Sequence, residues 1–508
     1  MARSSNPTVT RTGPESGYRN RRVRAANALP LGWRHLTAVD VKQLKSTIDA
    51  HTGPTATLAM LEACLLLWSS LVTGRHASEL LNMSVRMVAK GANLQAQSEG
   101  LISRNGEWAW WLEAGGPRQK RKRYHVCPTS EFIYLPATKR VTELIKRCVR
   151  LRRSGAAPFN LSGAEEPLFS IGEPLLAEAT KLLAARHAIS PERARRATTT
   201  PESVTRWLPG ELIGLPGGDQ VVAGVISGGI EDPAVTPSYY GAISHSAAVG
   251  QYRNAVASID ETRQIAVPSQ LLKLFVGDRH MPTDVAVRDM AATLGAALKR
   301  PGMDIAERHR AMTRYTLGLL AFAFAHRGAI EMPSLDRMHP DSQFCWIGDK
   351  VLAHNRRVRR MVWVCATARE QLSLYEKHLE LVRMEVSRTA ARAIDALRLK
   401  HVREQTLVLC ELTDAGGIRE ITPAAGIRDA MGGFGLFANA GRHWLRGKLV
   451  GICSTETLYA FYGHGPLDDR SWDASSTLDP VIYRADLAAA LDPVLVGIGW
   501  TPKTVSRV

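Results

Sequence analysis

Towards its C-terminal end the sequence carries His443-Trp444-Leu445-Arg446, then Gly463-His464, then Tyr483. A cationic clamp around a phosphate and a phenol able to attack it suffice to break and remake a phosphodiester without metal or nucleotide. Charge builds on the nonbridging and leaving oxygens in the transition state, and those are the places to stabilise. Arg446 and, upstream, Arg327 offer planar forks matched to phosphate oxygens and stay charged at any relevant pH. His443 and Arg446, three residues apart, would share one face of a helix. Lys350 can carry a proton towards a departing 5′ oxygen. Tyr483 supplies an oxygen nucleophile whose free-solution pKa of about 10 neighbouring cations should lower.

In this order and local context the residues resemble the catalytic domain of tyrosine recombinases, the phage-integrase superfamily. That pattern is an arginine after an apolar helix, a lysine on a β-hairpin, His-x-x-Arg, Gly-His and a C-terminal tyrosine, here Arg327, Lys350, His443 with Arg446, Gly463-His464 and Tyr483. The resemblance implies a 3′-phosphotyrosyl link formed by Tyr483, a 5′ hydroxyl released with Lys350 as acid, and no cofactor. It also implies integration, excision or resolution of a mobile genetic element, a homo-oligomer on paired DNA sites, and possible partnership with other recombinase subunits. Two spacings depart from the pattern: Tyr483 follows His464 by 19 residues, which is long, and His464 follows Arg446 by 18, which is short. Tyr459 and Tyr462, read as helix core aromatics, are the other candidate nucleophiles.

A fainter version runs through the first half. Thr73-Gly74-Arg75-His76-Ala77-Ser78-Glu79-Leu80 resembles the first family box with its arginine displaced by one position. Lys120 or Lys122 falls on a comparable hairpin, and Ser203-Val204-Thr205-Arg206 and Gly228-Gly229 match the later motifs with both histidines lost. Tyr239-Tyr240 follows, Tyr240 lying 11 residues after Gly229. An internal duplication accounts for this, with a degenerate first copy that grips DNA through Arg118, Lys120, Arg121, Lys122, Arg123 and Arg206. The rival reading takes Arg75 and Lys120 as the true pair and residues 150–420 as an insertion in one catalytic domain. A decayed recombinase that binds DNA without cutting it is the competing functional class.

The whole composition suits such a partner. The chain has 508 residues and a formal charge of +17, from 65 Lys plus Arg against 48 Asp plus Glu, which favours polyanions through counterion release. An apolar fraction of 45% describes a globular chain with sizeable cores. Seven scattered cysteines without a Cys-x-x-Cys pair imply neither a metal site nor a disulfide framework, so a cytoplasmic, nucleoid-associated setting without membrane is expected.

The fold expected is mainly α with small β-hairpins (α+β), in two successive recombinase-like lobes. Residues 1–30 would form a basic flexible arm, 31–262 the degenerate DNA-binding lobe and 300–508 the catalytic lobe. Capping-box form at Thr37 to Asp40 predicts a helix start, and residues 55–72 predict a buried core helix. Trp108 to Glu113 reads as a strand with one face buried, returning after Gly115-Gly116-Pro117 through the basic run to Val126. Helices are expected at 178–187 and 191–196, with residues 209–218 an interruption. The second half repeats the order: an apolar helix over 312–325, a strand over 344–347, a turn at Gly348-Asp349-Lys350, a returning strand over 360–365, and long charged helices over 370–384 and 388–404. Leu478-Asp479-Pro480 would cap the helix that carries Tyr483.

Overall fold

The Thr37 hydroxyl accepts from the Asp40 amide, and Asp40 accepts from the Thr37 amide at 2.9 Å, so the expected capping box opens helix α1 (Ala38–His51). The computed structural model describes residues 36–505 except 90–91, 95–96, 116–124, 155–164, 171, 186–199, 230–238, 263–264, 328–330, 352–356, 465–475 and 477. The basic arm, the run Arg118 to Arg123 and the helix expected at 191–196 therefore lie outside the described residues. No helix among the described residues is long and apolar enough to cross a membrane.

The apolar segment after α1 forms α2 (Leu58–Thr73), capped by the Thr57 side chain and ended by Gly74 at φ 69°, a conformation that favours glycine. Its all-round apolar surface makes it the axis of the first core. Around it lie α3 (Ala77–Leu81), α4 (Lys139–Arg153), α5 (Pro174–Ala185), α6 (Pro201–Thr205), α7 (Trp207–Gly214) and α8 (Gln220–Ser227). Against the helices packs a sheet of β1 (Ser84–Met87), β2 (Gly100–Arg104), β3 (Glu107–Glu113), β4 (Phe132–Pro136) and β5 (Glu166–Pro167), in the order β4-β3-β2-β1-β5. Only β1 and β2 run parallel.

Three features differ from the sequence reading. The return from β3 pairs as β4, with Trp111 opposite Tyr134, while Val126 makes only an isolated bridge to Pro282. Both faces of β3 are covered: Trp110 enters the main core, and Trp111 stacks on Phe132 in a smaller cluster on the other side. Trp108, Trp110 and Trp111 are all buried. Residues 207–214 are helical despite Pro209, because a first-turn residue has no intrahelical acceptor to lose.

Two short strands, β6 (Ala242–Ser244) and β7 (Phe275–Gly277), pair across α9 (His245–Val256) and close the first half. The two main cores divide between Val276 and Ala286. Helix α10 (Asp284–Ala297) belongs to the second core, whose axis is α11 (Ile305–Ala323), opened by a capping box at Asp304. A hairpin follows, β8 (Phe344–Val351) with β9 (Arg357–Trp363), in which Gly348 to Lys350 is a register shift inside the strand and not the expected turn. Next come α12 (Ala366–Glu385), α13 (Arg388–Glu404), the ribbon β10 (Cys410–Leu412) with β11 (Ile418–Glu420), α14 (Pro423–Gly432), α15 (Ala440–Leu449), α16 (Thr455–Tyr462) and α17 (Pro480–Ile498). Asp479 caps α17 with Pro480 in its first turn, as expected. The result is a mixed fold of many helices with small sheets.

The two halves share an order of elements. In each, an apolar axial helix leads to an arginine, then to β-structure, then to helices packed back on the axis, and a short helix ends on a left-handed glycine, Gly228 in α8 and Gly463 in α16.

Candidate active site

Helix α15 presents Arg442, His443 and Arg446, all buried, towards the end of α11. It comes that close because Gly441 has no side chain: a Cβ there would lie 2.8 Å from the Ala321 carbonyl oxygen and 3.0 Å from the Phe322 Cα. Gly441→Ala should push α15 outward and cost about 1–3 kcal/mol. A urea midpoint equal to that of the wild type would show that the helices separate without strain.

Arg442 donates to the Ala325 carbonyl at 3.1 Å, to the Tyr462 carbonyl, and to His464 Nε2 at 2.9 Å. Its guanidinium lies between two aromatic rings, 4.9 Å from the centroids of Tyr240 and Tyr462. Arg360, on β9, donates to the carbonyls of Phe461, Phe324 and Ala325. Arg327, four residues beyond α11, stands 6.0 Å from the Tyr240 centroid. Burial holds the His464 imidazole well below the usual histidine range, and Arg442, Arg446, Arg327 and Arg360 push it further down. His464 is thus a neutral acceptor that orients Arg442, and it adds no positive charge to the clamp.

Two carboxylates from outside the second core enter this cationic cluster. Asp219 caps α8, its Oδ1 accepting from the amides of Val221 at 2.9 Å and Val222 at 3.2 Å. Its Oδ2 takes Arg446 Nη2 at 2.7 Å, with both side chains almost fully buried. Asp278, one residue past β7, accepts from His443 Nδ1 at 2.7 Å. A carboxylate at Nδ1 fixes the proton there, leaving Nε2 as the basic nitrogen, which lies 3.3 Å from Asn439 Nδ2. The Asp278 amide donates to the Gly241 carbonyl at 2.7 Å.

Between these groups sits the ring of Tyr240. Its centroid is 4.6 Å from that of His443 and 5.4 Å from that of His464.

Arg327, His443, Arg446 and His464 therefore meet in one place. Tyr483 does not join them: it is fully buried in the second core and its hydroxyl donates to the Met361 carbonyl at 2.8 Å. Burial pushes its phenol far above the usual tyrosine range and outweighs the lowering by Arg360, the reverse of the expected shift. Tyr462 is equally committed, donating to the Arg442 carbonyl at 3.2 Å, and Tyr459 donates to Gln220 Oε1 at 3.0 Å. Lys350 lies on β8, but its side chain falls outside the described part, as do Arg118, Lys120, Arg121, Lys122 and Arg123. Arg206 pairs with Glu202 on the preceding turn at 3.2 Å. Arg75 stays within the first half, donating to the Glu113 carbonyl.

Sequence reasoning overlooked Arg442, Arg360, Asp219 and Asp278. Arg442 directly precedes His443 and had a local signal; the two acids had none. All seven cysteines are buried and free, and no group of three or more metal-binding side chains occurs among the described residues. No family model matches the chain, and neither the curated proteins nor the solved structures gave a match.

Proposed function

We propose that this protein cleaves and rejoins double-stranded DNA through a 3′-phosphotyrosyl intermediate, as a site-specific recombinase serving a mobile genetic element. The observation that carries the reading is the convergence of Arg327, Arg360, Arg442 and Arg446 around His464, with Arg327 and Arg442 beside a tyrosine ring that packs on both His443 and His464. Such a cluster costs folding energy, because buried like charges repel and each guanidinium must be desolvated. A site that gathers them is suited to a phosphodiester, whose nonbridging oxygens accept paired donors and whose transition state gains charge.

In this reading Asp219 holds the place of a phosphate oxygen on Arg446, and DNA enters by displacing that carboxylate. The repeated order of elements supports an ancestral duplication in which the first half no longer carries a clamp of its own. Self-association on paired DNA sites belongs to the same proposal.

The burial of Tyr483 favours a second reading, a DNA-binding accessory protein without strand cleavage. The two separate on a nicked suicide duplex taken from the DNA flanking the gene, scored for covalent protein–DNA adduct and for retarded complex. Recombinase activity predicts an adduct with wild type that falls at least a hundredfold in Arg446→Ala. Retarded complexes without adduct favour the accessory protein, and neither complex nor adduct would remove both readings.

A further inference from the structure

We propose that Tyr240, from the first half of the chain, is the nucleophile of this site; the inference rests on the strand-transfer reading above. Three observations carry it. The first is position. The Tyr240 ring lies within 6.0 Å of the guanidinium carbons of Arg442 and Arg327, and it packs on both imidazoles of the cluster. No other tyrosine ring touches both His443 and His464 among the described residues.

The second observation is the state of the hydroxyls. Tyr459, Tyr462 and Tyr483 each spend theirs on an internal acceptor. The Tyr240 hydroxyl makes no hydrogen bond to any described residue. Tyr240 also keeps 5% of its surface accessible, whereas Tyr462 keeps 1% and Tyr483 none.

The third is a tether. The carbonyl of Gly241, next to Tyr240, accepts from the Asp278 amide, and the Asp278 carboxylate holds His443 Nδ1. One acidic residue thus fixes both the backbone beside the phenol and the imidazole against which the phenol packs. Asp278 thus orients the base and the chain beside the phenol, and in this proposal the hydrogen bond from the Tyr240 hydroxyl to His443 Nε2 forms once the phosphodiester is in place. The cationic clamp then comes from one half and the phenol from the other.

The step balances without any oxidant or reductant. The Tyr240 oxygen forms a bond to phosphorus as the bond from phosphorus to the 5′ oxygen breaks. The phenolic proton passes to His443 Nε2, giving an imidazolium held by Asp278. The departing 5′ oxygen takes a proton from water, and the imidazolium returns its own to the hydroxide so formed. Attack of that 5′ hydroxyl on the phosphotyrosyl reverses the sequence and rejoins the strand.

The test uses the full chain and the nicked suicide duplex from the gene-flanking DNA. Wild-type adduct is digested and the residue bearing the nucleotide is identified by mass spectrometry, alongside Tyr240→Phe and Tyr239→Phe. The proposal expects the nucleotide on Tyr240. It further expects at least a hundredfold loss of adduct in Tyr240→Phe with retarded complex and melting profile retained, and an undiminished adduct in the exposed neighbour variant Tyr239→Phe. A nucleotide mapped to Tyr483 or any other residue overturns the assignment while leaving strand transfer intact, and so does an adduct of wild-type yield from Tyr240→Phe. Because the mapping is done on wild type, it decides the matter even where a variant fails to fold. Complexes that never yield an adduct remove the strand-transfer reading and this assignment together.

Discussion

Asp219→Ala should destabilise the protein by about 3–5 kcal/mol, the range for removing one partner of a buried ion pair. Arg446 and Asp219 expose 1% and 2% of their side chains, so the stranded guanidinium would have neither counter-charge nor water. The substitution also deletes the cap of α8, worth about 1 kcal/mol more. The two contributions can be separated. Asp219→Asn keeps an oxygen for the Val221 and Val222 amides and loses only the charge, so it should fall between wild type and alanine. Asp219→Ala combined with Arg446→Met should recover much of the loss, since no buried charge is then left unpaired. The measurement is the urea midpoint and slope of each variant. If the double variant proves no more stable than Asp219→Ala alone, the pair does not interact as its 2.7 Å separation implies.

Lowering the pH from about 6.5 to 4 should weaken the fold through two histidines that the candidate site does not use. His309 and His378 stack with centroids 5.4 Å apart, and His309 Nδ1 lies 3.3 Å from His378 Nε2. His309 Nε2 meets the Cys410 carbonyl at 3.0 Å and must donate to it, which leaves Nδ1 of the neutral ring to accept from His378 Nε2. Burial lowers His309 to about 4; burial, then His309 and Arg308, lower His378 to about 3. Unfolded histidines bind protons near pH 6.5, about two units or more above these values. Between those limits the unfolded state holds more protons, so stability is complete above pH 6.5 and is lost as pH falls towards the folded values. At about 1.4 kcal/mol per unit, the stacked pair accounts for a loss on the order of 3 kcal/mol by pH 4. Unfolding free energy measured from pH 7 to pH 4 should slope down on the acid side in wild type and much less in His309→Gln with His378→Gln. Equal slopes would mean that these rings are already charged or exposed in the native state.

What the sequence disclosed follows the range of the forces involved. Thr37 with Asp40, and Asp479 with Pro480, announce helix starts because capping is settled within four residues. The apolar run that becomes α2 and the segment ending at Arg327 were legible because a fully buried axial helix needs apolar residues on every face. The helix at 207–214 was not, since Pro209 reads as a breaker unless its place in the first turn is known. Gly348 to Lys350 read as a turn for a similar reason: glycine and charge mark both reversals and bulges, and only the register of β8 against β9 tells them apart. At the site, residue types and their order along the chain pointed to Arg327, His443, Arg446 and His464, which the fold brings together. Asp219 and Asp278 lie 227 and 165 residues from their partners, and no local pattern reports such a pairing. Tyr240 stood in a motif of the first half, and nothing in its neighbourhood says that it faces α15.

The Asp219–Arg446 pair also sets a timetable for the newly made chain. A ribosome adding about 5–20 residues per second needs roughly 10–45 s to reach Arg446 after it has passed Asp219, because 227 residues separate them. Within that interval the first half can complete its core, since Val276, the last of its core residues, is made 170 residues before Arg446. It must do so with the Asp219 carboxylate still in water. The order of synthesis therefore places closure of the cluster after the first half's core residues are available, and a chain halted before residue 446 should lack the Asp219–Arg446 pair.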